Sequence, residues 1–268
     1  MKLNTNFSQF KKKHKKKQNQ VIFHQTKCKN NKTIENIINN FLVKKNSFIF
    51  ESVEKRRIRG RYTIIGADPD KIWEFNKKRI TLYNNSKKIN IKGSPYEYLK
   101  KLIENFNFPI PKELPSICSL LVGYFSYDII RYIEKVPNKC KEDILIPDVR
   151  LLRPKTIIIH DNLLKKVYFI INCFADQKIN DYEKFYLNQI EYIKKIKELS
   201  LFTPNKKRIN TYKNKKIYVK SNITKEIFKR NVVKAKNYIK KGDIYQVVLS
   251  QRFETKLTKT PLEIYKKL

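Results

Sequence analysis

The 268 residues suffice for one large or two ordinary domains, and 41% hydrophobic content with 16 Phe and 16 Tyr excludes a globally disordered chain. The net charge of +36 raises a polyanion partner, but the lysines form no single stripe. With three alanines and five glycines against abundant Lys, Asn and Ile, the charge reads as AT-biased composition, with no nucleic acid and no membrane as partner. Four cysteines without a C-x-x-C pair fit reduced thiols and a cytoplasmic location. His14, His24 and His160 share no spacing with an acid or cysteine, which disfavours a His-centred triad or metal cluster. The longest apolar run, from Ile117 to Ile130, contains Asp128 and is too short to span a bilayer. No apolar signal region opens the chain.

Residues 1–20 form a basic polar lead-in, with Lys11 to Lys17 at its centre, read as a solvated and partly helical stretch. From Ser47 to Tyr83, β-forming runs alternate with turn signals: Phe48–Phe50, Tyr62–Gly66, Ile72–Phe75 and Ile80–Tyr83. Asp68-Pro69-Asp70 and Asn76-Lys77-Lys78 supply turns, predicting an antiparallel meander. Residues 95–106 read as a helix through Tyr98, Leu99, Leu102, Ile103 and Phe106, followed by a proline-rich connection. Leu120–Phe125 is a further strand, and Thr156–His160 with Val167–Asn172 form a hairpin. Residues 181–199 suggest a helix, and 200–220, holding Pro204, a linker. Beyond it, Thr224 caps a helix striped by Phe228, Val232, Ala235 and Ile239, which Gly242 ends. Ile244–Ser250 then reads as a buried strand, with Gln246 on one face and Tyr245, Val247 and Leu249 in the core.

Two places carry candidate chemistry. Phe50-Glu51-Ser52 ends a strand; the pair of acid and hydroxyl either holds a small zwitterion or is an ordinary solvated strand end. Gln246 is an amide in an apolar strand, and such amides need a partner. The segment from Leu121 to Tyr132, with Asp128 and Arg131 three apart, reads as packing with an internal ion pair.

Together, Phe50–Pro69, Leu121–Pro137, Pro147–Asn162 with Leu152-Arg153-Pro154, Asn231–Phe253 and Pro261–Tyr265 resemble the large subunit of anthranilate synthase, component I. The aminodeoxychorismate synthase large subunit is the nearest confusion. The resemblance implies an α+β fold, an antiparallel β-sheet with packed helices, with the C-terminal catalytic domain only begun. It implies a regulatory domain over 21–199 and the start of a chorismate-binding domain over 221–268. It further implies a carbon–oxygen lyase that makes anthranilate and pyruvate from chorismate and ammonia, with Mg2+ as cofactor. Ammonia would come from a glutamine amidotransferase subunit, component II. L-tryptophan, as feedback inhibitor, would meet Phe50, Glu51 and Ser52, and Gln246 would lie near the ring carbon that ammonia attacks. The second tryptophan segment, the catalytic histidine and the magnesium-binding glutamates would follow residue 268, leaving this chain inactive alone. Lys55-Arg56-Arg57 replace a family glycine and put that loop in doubt. A non-catalytic tryptophan-binding module is the reading from another class.

Overall fold

The computed structural model describes residues 1–28, 31–51, 60–85, 87–137, 143–203 and 218–267. The chain divides into two units, Met1–Asn205 and Lys206–Leu268.

The first unit is built on an antiparallel sheet, matching the expected α+β class. Its strands are β1 (Gln20–Lys27), β2 (Phe48–Glu51), β3 (Tyr62–Asn76), β4 (Arg79–Asn84), β5 (Lys87–Ile91), β6 (Val122–Phe125), β7 (Val149–Asp161) and β8 (Lys166–Cys173). The order is β1-β8-β7-β3-β4-β5, with β2 also on β3 and β6 also on β7. Strands β3 and β7 run side by side throughout. One half of the sheet pairs β8 with β7 and β2 with β3, and the other pairs β6 with β7 and β4 with β3.

The turn expected at Asp68-Pro69-Asp70 is instead a bulge inside one continuous strand, with a register shift between Pro69 and Lys71. Two physical causes stand out. Asp68 adopts φ +53, a left-handed conformation that Asp tolerates better than most residues. Pro69 also faces Pro154 of β7, so the two residues lacking an N–H oppose each other and no ladder donor is wasted. The turn residues thus mark a seam between the two half-sheets.

Both faces of the first half are covered. Val21, Phe23, Ile157, Ile159, Tyr168 and Ile170 pack under Phe108, Leu114, Ile117 and Cys118 of the proline-rich connection. Across the opposite face lie helices α1 (Phe7–Lys15), α2 (Asn31–Phe41) and α4 (Tyr182–Leu201), which touch β1, β3 and β8. Double-sided burial explains why Ile157–Ile159 and Val167–Ile171 are unbroken apolar runs. In the second half, Trp73, Phe75, Ile80, Val149 and Leu151 pack on Leu99 of α3 (Pro95–Glu104).

The N-terminal lead-in is helical and largely exposed, as read, but one face of its helix is buried. Asn6 and Gln9 close a capping box on α1, Phe10 is fully buried, and its ring lies 5.5 Å from that of Tyr186. Phe10 and His14, one helical turn apart, face inward while the lysines face out. Strand β1 follows immediately, and Val21-Ile22-Phe23 was the signal for it.

The second unit contains α5 (Lys225–Lys240), α6 (Pro261–Tyr265) and a pair of short strands, β9 (Val219–Ser221) and β10 (Phe253–Thr255). Thr224 caps α5 as expected. Gly242, at φ +78, donates to Ile239, and Asp243 donates to Tyr238; these two bonds make a Schellman ending. The expected strand at Ile244–Ser250 does not form. A strand requires a ladder partner, and among the described residues none pairs with this segment, so Tyr245 and Val248 are 94% and 81% exposed. Within the expected linker, α4 runs on to Leu201 and β9 takes residues 219–220, while 204–217 lie outside the described residues.

Candidate functional site

The candidate residues Phe50 and Glu51 sit at the end of β2, paired with Ile64 and Thr63 of β3. Phe48 lies over Gly66, where a Cβ would come 2.1 Å from its ring, so only glycine allows the close approach. The Phe48 and Phe50 rings are 5.2 Å apart, and Phe50 is half exposed. Glu51 is exposed at the strand end. Ser52 and the loop with Lys55-Arg56-Arg57 lie outside the described residues.

What holds β2 in place is the connection before it. Lys44 Nζ donates to Asp68 Oδ2 at 3.0 Å and to Tyr192 Oη at 2.6 Å, while Tyr192 and Thr156 also donate to Asp68. Burial alone would raise the Asp68 carboxyl, but hydrogen bonds from Tyr192 and Lys44 outweigh it and hold it below the usual carboxylate range. Two residues on, Asn46 accepts from Arg150 at 2.9 Å, and Arg150 also donates to Glu74 at 2.9 Å. The approach to β2 is thus pinned to the seam by Lys44 and to β7 by Asn46. Such support gives Phe50 and Glu51 a fixed base.

The seam holds a second network. Arg153, 9% exposed, makes a two-pronged pair with Asp70, 5% exposed, at 2.9 and 2.6 Å, and reaches Asp176 at 2.8 Å. Its guanidinium lies 3.9 Å from the Phe174 ring centroid. Burial would raise the Asp176 carboxyl, but Arg153 and Lys71 hold it down to about 2. Sequence reasoning placed Leu152-Arg153-Pro154 only within a family motif; in the structure Arg153 ties β7 to Asp70 of β3 and to Asp176 at the seam.

The expected ion pair of Asp128 with Arg131 is present at 2.8 Å, in a 3₁₀ turn over Tyr127–Tyr132. It lines a cleft of about 760 Å3 with Tyr96, Tyr132 and Leu145, a feature without a clear sequence signal. Gln246 belongs to the second unit, where it is exposed and not in a strand. The expected burial of its amide is therefore corrected.

Among the described residues, no group of three or more His, Cys, Asp or Glu could hold a metal ion. The described side chains offer no set that fits Mg2+, and no chemical step is assigned to it. Cys28, Cys118 and Cys173 are buried and form no disulfide among the described residues, with burial pushing the Cys118 and Cys173 thiols up to about 11 and about 12. Among the described residues, no helix is long and apolar enough to cross a membrane.

Residues 45–268 match the family model of a chorismate binding enzyme. Anthranilate synthase component 1 of Acetivibrio thermocellus is 36% identical over 227 residues, 82% of this chain and 45% of that protein. The chloroplastic anthranilate synthase alpha subunit 1 of Arabidopsis thaliana is 35% identical, with 83% and 40% covered. The Cereibacter sphaeroides component 1 is 27% identical, with 98% and 54% covered. The chain thus spans about half the length of the curated relatives it matches. The crystal structure of anthranilate synthase component I from Streptococcus pneumoniae TIGR4 superposes with a TM-score of 0.61 over 80% of this chain and 46% of that one; at 23% identity it speaks for the fold. On the match over residues 45–268, the chain belongs to the chorismate binding enzyme family.

Proposed function

We propose that this chain serves the first step of tryptophan synthesis as part of an anthranilate synthase component I. Ammonia adds to the chorismate ring, the ring hydroxyl leaves as water, and pyruvate is eliminated to give anthranilate. The reading is carried by the 36% identity to an anthranilate synthase component 1 over 82% of the chain. The relatives named above are all anthranilate synthases, which favours this product over aminodeoxychorismate.

The exposed end of β2 is proposed as a regulatory site for L-tryptophan. Phe50 offers a half-exposed ring to the indole, Glu51 a carboxylate to the ammonium, and Ser52 a hydroxyl to the tryptophan carboxylate. Gln246 is proposed to meet the chorismate ring, its neutral amide orienting ammonia without competing as a base. That role requires Ile244–Ser250 to gain a strand partner. The isolated chain is accordingly proposed to be inactive, with turnover depending on polypeptide that completes this segment and on Mg2+ held by that polypeptide. A glutamine amidotransferase subunit would deliver ammonia, and the location would be cytoplasmic.

Growth of a bacterial strain lacking its own component I tests the proposal. Co-expression of this chain with the C-terminal half of the A. thermocellus relative should restore growth without tryptophan. Failure to grow, with both polypeptides folded and associated, would count against the assignment. A second reading, a tryptophan-binding module without turnover, is favoured by segment 244–250, which pairs with no strand among the described residues. It expects tryptophan binding and no growth.

A further inference from the structure

Strand β1 is the last strand on its side of the sheet. Its outer edge is only partly occupied. The side chain of Asn4 donates to Val21 O at 3.0 Å and accepts from Phe23 N at 2.8 Å, imitating a short piece of neighbouring strand. These bonds fix the alternation: Val21 and Phe23 face away from β8, so Gln25 and Lys27 present their N–H and C=O outward as well. Gln25 is exposed, and the edge beyond Phe23 meets no other strand among the described residues.

A cleft of about 1130 Å3 opens along this edge, between β1, the start of the chain and the proline-rich connection. Lys2, Lys13 and Lys17 line it against one acid, Glu113. Gln25 and Asn107 line it too. Unpaired strand edges are templates for another strand, and proteins blunt them with charge when no partner is intended. The opposite edge strand, β5, is blunted in that way by Lys87 and Lys88. At β1 one lysine, Lys27, ends the strand, and Lys2, Lys13 and Lys17 stand in the cleft beside the edge. They would repel a second copy of a chain carrying +36, and they complement carboxylates.

We infer that the edge of β1 from Phe23 to Lys27 takes an extended, acidic segment of another protein as an added strand. Backbone pairing to Gln25 and Lys27 holds the segment, and Lys2, Lys13 and Lys17 select for acidic side chains.

The probe is a fluorescein-labelled octapeptide of alternating Glu and Val, followed by anisotropy with the full chain. Three controls accompany it: the same peptide with alternate backbone amides N-methylated, the Gln25→Pro variant, and Lys13→Glu/Lys17→Glu. Pro is tolerated on edge strands but removes the outward N–H. N-methylation and Gln25→Pro should each weaken binding roughly tenfold, as expected for one or two lost backbone hydrogen bonds. The double charge reversal should weaken binding and flatten its salt dependence. Should Gln25→Pro unfold the strand, amide exchange in the unaltered protein decides instead: peptide should slow exchange at Gln25 and Lys27. Equal binding of the N-methylated peptide, or no slowing at Gln25, overturns the inference. So does a dT oligonucleotide that displaces the peptide and binds Gln25→Pro as well as the unaltered chain, which would assign the cleft to polyanions.

Discussion

Replacing Asp70 with Asn tests whether the seam network holds the two half-sheets together. The change preserves shape but removes the charge that Arg153 meets at 2.6 and 2.9 Å, in a pair exposed by only 9% and 5%. Breaking a buried pair from one side costs about 3–5 kcal/mol, because the remaining charge is left without its partner. Arg153 keeps Asp176 at 2.8 Å, which is 46% exposed, so the low end applies, about 3 kcal/mol. For a unit of this size that corresponds to a fall in Tm of ~6–12 °C. Urea denaturation of Asp70→Asn, Arg153→Met and the double variant would measure it. Met keeps much of the stem that packs by Phe174, and the double variant removes both charges. The double variant should therefore be more stable than the summed single losses predict, with a coupling of about 2 kcal/mol. A loss under ~1 kcal/mol for Asp70→Asn, with no coupling, would refute the clamp.

Gly123→Ala should detach β6, because a Cβ there would stand 1.7 Å from Arg150 O, against an ordinary contact of about 3.5 Å. Amide exchange should show protection lost across Val122–Phe125 and retained in β8; unchanged protection would contradict the pairing. Stability should fall with pH in two stages. Burial lowers the pKa of His24 and His160 below the usual value, so each favours the fold while neutral, and that contribution is lost as pH falls below ~6.5. The depressed carboxyls of Asp68, Asp161 and Asp176 contribute fully above ~4 and lose that contribution as pH falls towards the folded value, about 2 for Asp176. Urea midpoints at intervals of pH would show both stages, and a flat profile from pH 7 to 3 would contradict them. L-tryptophan at a hundred times its Kd should stabilise by about 2.7 kcal/mol, and Glu51→Gln should abolish the shift at that concentration. An undiminished shift in Glu51→Gln would remove Glu51 from the proposed site.

The sequence was most legible where local chemistry and tertiary packing agree. The hairpin of β7 and β8 declared itself because strands buried on both faces are apolar throughout. Thr224 and Gly242 bounded α5 because capping is decided by a few neighbouring residues. The misses were long-range. Asp68-Pro69-Asp70 carries the same residues a turn would use, and only the unbroken run of β7 beside it, with Pro154 opposite Pro69, converts it to a bulge. The lysine run of α1 hid Phe10 and His14, two inward residues in a basic helix. Helix α2 escaped although Ile34, Ile37, Ile38 and Phe41 follow helical spacing, because Asn and Lys surround them. Segment 244–250 shows the converse error: its apolar pattern specifies a strand, but pattern alone supplies no ladder partner. Of the candidate site, Phe50 and Glu51 were legible as a strand end, whereas the pinning of β2 through Lys44 and Asn46 depends on residues far away in sequence.

The most direct test is anthranilate fluorescence from purified chain given chorismate, magnesium and ammonium, with and without the C-terminal half of the A. thermocellus relative. Signal only in the presence of both polypeptides is the predicted result. A folded, associated pair that consumes chorismate without forming anthranilate would contradict it.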